Sequence, residues 1–267
     1  MSNQLRQSGL TLVELMVGML IALVALSAGG ALYLSSSQAN RMLQMQNRLT
    51  EDGRFVLQMI QRAVAQAGFR NAPGEARGVG NAYLAATSTT SFTVGFQADN
   101  SSMLGCTGAV IAGTGNQSLV IERNGSCLQC RSAGSAPTCP APTDVNTAVD
   151  WVGPFPNGGG LGSEVVDFQV LYGIDTGPNP TAPEISCGAE TRDCVVDSYV
   201  SALPNGVTID QVMALQICLI LRSENIAPEM GSKAAVANCA RNGTINGSAT
   251  DNRLYRTFRT TTQLRNF

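Results

Sequence analysis

The feature that most restricts this chain is an apolar run close to its start. Residues 10–34 read LTLVELMVGMLIALVALSAGGALYL. At 1.5 Å per residue, a helix over that run is long enough to cross a bilayer core of roughly 30 Å. One charge interrupts it, Glu14. A carboxylate in hydrocarbon is costly and normally has a partner. Glu14 stands about one helical turn into the run, at the cytoplasmic end if Arg6, the only charge before it, stays in the cytoplasm. The residues alone leave three readings open. The segment is a signal anchor with Glu14 near the interface, a secretory signal peptide cut after small residues such as Ala25-Leu26-Ser27, or a helix preceded by a leader cut after Gly9. A sparse positive start and an acid inside the would-be apolar core of a signal peptide count against the second. The third accounts for Gly9, Glu14 and the unbroken helix together.

Helical periodicity continues past Leu34. Met42, Met45, Leu49, Val56, Met59, Ala63 and Ala67 recur at spacings of three and four, with Asp52 or Gly53 at the missing step. The positions between them are mostly polar, so this half is amphipathic and needs a sheet to lie on. Its methionines read as packing residues. Gly68, followed by Asn71 and Pro73, supplies a stop. Gly29-Gly30 is either a weak point in the helix or a small-residue packing face.

The rest of the chain reads as β. Segments 91–97, 118–123, 165–172, 211–222 and 253–264 are rich in Val, Ile, Leu, Thr, Phe and Tyr. In the fourth, Met213, Leu215, Ile217, Leu219 and Leu221 alternate, which directs that face at the helix stripe. Asn-Gly pairs begin at Asn124, Asn157, Asn205, Asn242 and Asn246. A type I′ hairpin at Asn124-Gly125 would set Ile121 opposite Leu128 and Leu119 opposite Cys130. Stretches 105–116, 132–162 and 175–198 are Gly-, Pro- and Ser-rich loops.

Composition removes several functions. The chain has no His, which excludes Ser-His-Asp and Cys-His nucleophiles and the HExxH zinc helix. Seventeen basic against 19 acidic residues leave a formal charge of −2, without the basic excess of a dedicated nucleic-acid binder. Eight cysteines, Cys106, Cys127, Cys130, Cys139, Cys187, Cys194, Cys218 and Cys239, suit paired disulfides in an oxidising compartment. Short spacings suggest local staples: Cys187–Cys194, Cys218–Cys239 and Cys130–Cys139. On a strand, Cys127 and Cys130 point to opposite faces, which disfavours a redox pair or a zinc site. Asp144-x-Asn146-x3-Asp150 lacks the glycine of a calcium loop, and Gly158–Gly162 precedes a strand where a dinucleotide loop would follow one. Arg253, Arg256, Arg259 and Arg265 read as a solvated, edge-blunting set, lacking the interleaved aromatics of a single-strand binder. Five sequons, at Asn100, Asn116, Asn124, Asn242 and Asn246, suit surface loops.

Gly9-Leu10-Thr11-Leu12-Val13-Glu14-Leu15-Met16 closely resembles the leader junction of type IV prepilins and type II secretion pseudopilins. The resemblance implies cleavage between Gly9 and Leu10 by a prepilin peptidase, methylation of the new amine, and an assembly role for Glu14. Its carboxylate would pair with the amine of Leu10 on a neighbouring subunit or on its own chain. Leu10 stands where Phe is more usual. Asp52-Gly53-Arg54-Phe55, Gln66-Ala67-Gly68-Phe69, residues 215–224 (LQICLILRSE) and residues 255–266 (YRTFRTTTQLRN) look like PilW-type minor pilins. Residues 72–162 inherit nothing from that likeness.

The fold so implied is α+β, a pilin fold. A long N-terminal helix, membrane-spanning in its first half, packs on an antiparallel sheet head with disulfide-stapled loops. The expected parts are a leader over 1–9, a helix over 10–68 (transmembrane 10–34, amphipathic 35–68) and a head over 69–267. The implied function is structural: a minor pilin that primes type IV pilus assembly and sits at the tip. The alternatives are a J-like minor pseudopilin of type II secretion and a secreted adhesin with a conventional signal peptide. The partners implied are other minor pilins, the major pilin, the prepilin peptidase, the assembly platform and the inner membrane through residues 10–34. No enzyme activity, cofactor, metal or nucleic-acid partner is expected. The head would face the periplasm and then, in the fibre, the outside.

Overall fold

A computed structural model describes residues 11–71, 83–132, 139, 148–154, 162–177, 195–227 and 233–264. The expected leader, Leu10, Cys187, Cys194, Asp144, Asn146, glycines 158–160 and Arg265 lie outside these. A single helix, α1, runs Leu12–Gln66. The chain divides into two compact units, one up to residue 44 and one from residue 45.

In the first unit, Leu12, Val13, Met16, Leu20, Leu23, Leu26 and Leu32 are each more than half exposed. An apolar surface that nothing in the unit covers belongs in lipid or against other helices. The helix is long and apolar enough to cross a membrane, and none of its most apolar window is buried.

In the second unit, the end of α1 buries Leu49, Gly53, Val56, Met59, Ile60, Ala63 and Val64. This is the expected stripe, with Gly53 at the missing step. Gly68 adopts φ +73°, the left-handed conformation that ends a helix cheaply when no Cβ is present. Its N–H then donates to the Gly95 carbonyl at 2.9 Å, so the stop doubles as a tie to the β structure.

Among the described residues nine strands form two antiparallel sheets where the sequence suggested one. The first is a meander, β1(Leu84–Ser88), β2(Ser91–Asp99), β3(Thr114–Asn124), β4(Cys127–Ser132) and β5(Ala148–Val152). The second has the order β7-β6-β8-β9, with β6(Ser163–Ile174), β7(Ser198–Val200), β8(Val212–Ser223) and β9(Tyr255–Gln263). β1, β5 and β7 are five residues or fewer and carry little pattern, which is why they were missed. The β3–β4 hairpin pairs Ile121 with Cys130 and Leu119 with Ser132, two residues from the expected register. Its turn residues are Gly125-Ser126, and Gly125 takes φ +58° while Ser126 does not turn positive. Glycine first is the signature of a type II′ turn, not the expected I′.

The sheets meet through main-chain atoms. Val165 N–H donates to the Ser126 carbonyl at 2.8 Å and Val170 N–H to the Thr89 carbonyl at 2.9 Å. Turn tips of the first sheet thereby cover the edge of β6 that β7 leaves open. On β8 the odd residues Leu215, Ile217, Leu219 and Leu221 are fully buried. Opposite them across the ladder stand Thr262, Thr260, Phe258 and Arg256 of β9.

Three disulfides fall among the described residues. Cys218 bonds Cys239, clamping the loop after β8 over a small cluster with Ile220, Val166, Val236, Ile245 and Tyr255. Cys106 bonds Cys130 and Cys127 bonds Cys139, which corrects the expected Cys130–Cys139 pair. Strand alternation is the cause: Cys130 points to the face where Cys106 lies 5.3 Å away between Cα atoms, and Cys127 to the other.

Candidate functional site

Two places carry the residues singled out in the sequence. The first is the start of α1. Thr11 donates from its N–H and its hydroxyl to Glu14 Oε2, both at 3.0 Å. Glu14 N–H donates back to Thr11 Oγ1 at 3.3 Å. This is a capping box: Thr and Glu three apart each satisfy an N–H that the helix start would leave orphaned. The signal T-x-x-E ahead of an apolar run was legible in the sequence and was missed. Glu14 is therefore held at the helix start by its own chain, exposed, with its carboxylate bonded to Thr11. Gly9 and Leu10, the expected processing pair, lie outside the described residues.

The second place is the seam between the end of α1 and β9. Arg256 Nη1 donates to Thr50 Oγ1 at 2.7 Å, and Gln61 Nε2 to Thr260 Oγ1 at 3.0 Å. Between them the Phe258 ring lies against Gly53. A Cβ added there would stand 2.2 Å from the ring. Asp52 accepts from Ser163 Oγ at 2.6 Å and pairs with Arg48 at 3.2 Å. The Asp52-Gly53-Arg54-Phe55 motif thus works through its first two residues, one gripping the start of β6 and the other making room for β9. Phe55 remains half exposed. The Gln66-Ala67-Gly68-Phe69 motif fastens the helix end to the first sheet. The Gln66 amide bonds Leu104 at both backbone atoms, and Phe69 O accepts from Gln97 N–H at 3.0 Å.

The C-terminal arginines serve separate partners. Arg253 donates to Glu164 Oε2 at 3.1 Å, and Arg222 donates to the same carboxylate. Asp251 joins them, accepting from the Tyr255 hydroxyl and pairing with Lys233 at 3.4 Å. Burial pushes the Asp251 carboxyl up, but hydrogen bonds from Tyr255 and Arg253 and the Lys233 charge outweigh it, and its pKa lies below the ordinary value. Arg259 donates to the Cys239 carbonyl at 3.2 Å. Arg253, Arg256 and Arg259 thus each have a hydrogen-bond partner within the fold. Among the described residues no cluster of His, Cys, Asp or Glu could hold a metal ion. The geometry offers docking and anchoring surfaces, with no nucleophile–base pair.

Two family models match. A prokaryotic N-terminal methylation motif covers residues 4–30, and the type IV pilus-assembly protein W family covers residues 135–266. No curated protein matches the chain. Among solved structures, a type IV-like pilin from Thermus thermophilus aligns at 16% identity and TM-score 0.45, over 82% of this chain and 98% of that one.

Proposed function

Starting from a chain that is a type IV pilus protein of the PilW type, we propose that it is a minor pilin that primes pilus assembly and sits at the fibre tip with other minor pilins. The observation that carries this reading is the presence in one chain of a methylation motif over an uncovered apolar helix and a PilW match over the second sheet. A J-like pseudopilin of type II secretion would share the leader and the helix, and the PilW match favours the pilus. In this reading a prepilin peptidase cuts after Gly9 and methylates Leu10. The helix holds the chain in the inner membrane with the head in the periplasm, until the assembly platform transfers it to the fibre beside the major pilin.

Glu14 has two duties in this scheme. The capping box holds its carboxylate at the helix start, within reach of its own N-terminal turn or of a neighbour's. In a dry helix bundle that carboxylate would be stranded unless it met the positive amine of a processed Leu10, and an unpaired buried charge is strongly disfavoured. The pair therefore sets register between subunits.

Substitution separates the two duties. Glu14→Gln keeps the capping hydrogen bonds, because Gln serves in a capping box, and removes the charge. Expected is a chain that is cleaved, methylated at Leu10 and membrane-bound, yet absent from sheared pili, as with Glu14→Ala. Normal incorporation of the Gln variant would reduce Glu14 to a cap. A mature N-terminus other than Leu10, read by mass spectrometry, would overturn the pilin function itself.

A further inference from the structure

Among the described residues the sheet edges differ in how they are protected. β7 is three residues long, β5 is five, and β1 is five with an irregular register. The remaining flank of β6 is capped by the Ser126 and Thr89 carbonyls. β9 differs. It runs nine residues, pairs with β8 without a register shift, and has no second strand beside it among the described residues. It contains no proline and no bulge. Leu264 N–H donates to the Met213 carbonyl, so the residues in phase with Leu264 direct their main-chain groups at β8. The alternate residues Thr257, Arg259, Thr261 and Gln263 direct theirs outward. A row of unpaired N–H and C=O groups is a template for another strand.

Two further observations say what kind of strand fits. Beside the end of β9 runs an open groove lined by Gln58, Gln61, Arg62, Ala65, Thr261, Thr262 and Gln263. Within it the Thr262 hydroxyl is buried without a partner among the described residues. The edge is also basic. Arg62, Arg256 and Arg259 are exposed, and among the described residues no carboxylate pairs with any of them. Arg259 has its pKa lowered, first by burial and then by the charge of Arg241. Two copies pairing β9 to β9 about their centre would set Arg259 against Arg259, and like charges directly opposite are destabilising.

We propose that the open edge of β9 receives an extended, acidic segment of a neighbouring pilus subunit as a tenth strand, bonded through the outward main-chain groups of Thr257, Arg259, Thr261 and Gln263. Main-chain bonds supply the register, and the arginines select acidic side chains on the incoming strand. That the donor is a pilus subunit rests on the function proposed above; the edge itself does not.

The test uses the full chain in detergent and three synthetic nine-residue peptides. One alternates Val or Thr with Glu, one carries Lys in place of Glu, and one repeats the acidic sequence with alternate backbone nitrogens methylated. The acidic peptide should bind and slow hydrogen exchange across β9. The Lys and N-methyl peptides should bind weaker by about tenfold or more. Thr261→Pro, which removes an outward N–H, should abolish binding, and Arg259→Glu should turn the preference toward the Lys peptide. Should Thr261→Pro not fold, the N-methyl comparison on the unaltered chain decides alone. Equal binding of the N-methyl peptide, binding without protection of β9, or no binding of the acidic peptide would each overturn the proposal. Because these readouts do not involve the processed N-terminus, they fail independently of the pilin reading.

Discussion

Replacing Gly53 with alanine should destabilise the protein, although the same change inside a helix ordinarily gains up to about 1 kcal/mol. The reason is local. A Cβ on residue 53 would stand 2.2, 2.3 and 2.5 Å from three atoms of the Phe258 ring, where carbon atoms prefer about 3.5–4.0 Å. The ring must retreat by more than an ångström. It stands on β9 directly opposite Leu219, which is fully buried and closes one direction of retreat. Overpacking of this kind costs about 1–3 kcal/mol. After a helical gain of about 1 kcal/mol is deducted, a net loss of up to about 2 kcal/mol remains. For a unit of this size, that lowers the Tm by up to about 8 °C.

Thermal unfolding of the full chain in detergent, followed by near-ultraviolet circular dichroism, measures the loss. Gly29→Ala and Gly30→Ala are the controls, because an added Cβ there meets nothing within 4 Å. Those variants should show the helical gain or no change. Removing the obstacle tests the cause. In Gly53→Ala combined with Phe258→Ala the loss should be smaller than the sum of the single losses, by about 1 kcal/mol or more. A raised Tm for Gly53→Ala, or strict additivity in the cycle, would refute the steric argument.

Other consequences can be measured on the same preparation. Replacing both Cys218 and Cys239 by alanine opens a 21-residue link and should cost ~3 kcal/mol, with peptide mapping of the native chain recovering Cys106–Cys130 and Cys127–Cys139 as separate pairs. Tyr172 is fully buried and its hydroxyl has no partner among the described residues, so Tyr172→Phe should stabilise by about 1 kcal/mol; a loss would reveal a hydrogen bond. Burial raises the Tyr172 pKa to about 12, so this phenol should still be neutral when exposed tyrosines have ionised, and the stability it lends is full below pH 10 and lost as pH rises toward 12. Asp251 has the opposite sign: its carboxyl is depressed in the fold, so its contribution is full above the ordinary value of 3.8 and is lost as pH falls below it. Asp251→Asn should flatten that acid limb of the stability curve.

What could be read from the sequence follows from how each element is held. The α1 stripe was legible because Leu49, Val56, Met59 and Ala63 contact one surface at helical spacing, and no other period fits them. β8 was legible because its odd residues alternate beneath the helix. Two even residues of β8 are buried for a separate reason: Cys218 and Ile220 face the disulfide-clamped loop on the other side. One alternation therefore stood for two cores, and only one was foreseen. Cysteine pairing escaped although the two-residue register shift leaves Cys127 and Cys130 on opposite faces as expected, because nothing in the sequence pattern shows which of Cys106 and Cys139 reaches which face. Trp151, whose indole N–H donates to the Cys106 carbonyl at 2.9 Å, belongs to the same region and gave no warning of its strand. At the start of the helix, Glu14 was identified through resemblance, while its partner Thr11 was overlooked.

The two ends of the chain resembled one family together because they meet. Thr50 and Arg256, separated by 206 positions, are hydrogen-bonded, as are Gln61 and Thr260, separated by 199. A helix face and a last strand that interlock through side chains restrict which residues each can carry. The first sheet is attached differently. It reaches β6 through the carbonyls of Thr89 and Ser126 and receives the helix end through Gly68 N–H on the Gly95 carbonyl. Main-chain atoms are supplied by any residue that permits the turn, so this attachment makes few demands on side chains. Strands β1 to β4 lie outside the residues matched by the PilW family, 135–266, while β5 of the same sheet lies inside them and residues 45–66 of α1 lie outside both matches. The same fold thus combines a helix–sheet seam made by side chains with a second sheet attached through main-chain atoms, and side chains on the second can change without disturbing the hydrogen bonds that attach it.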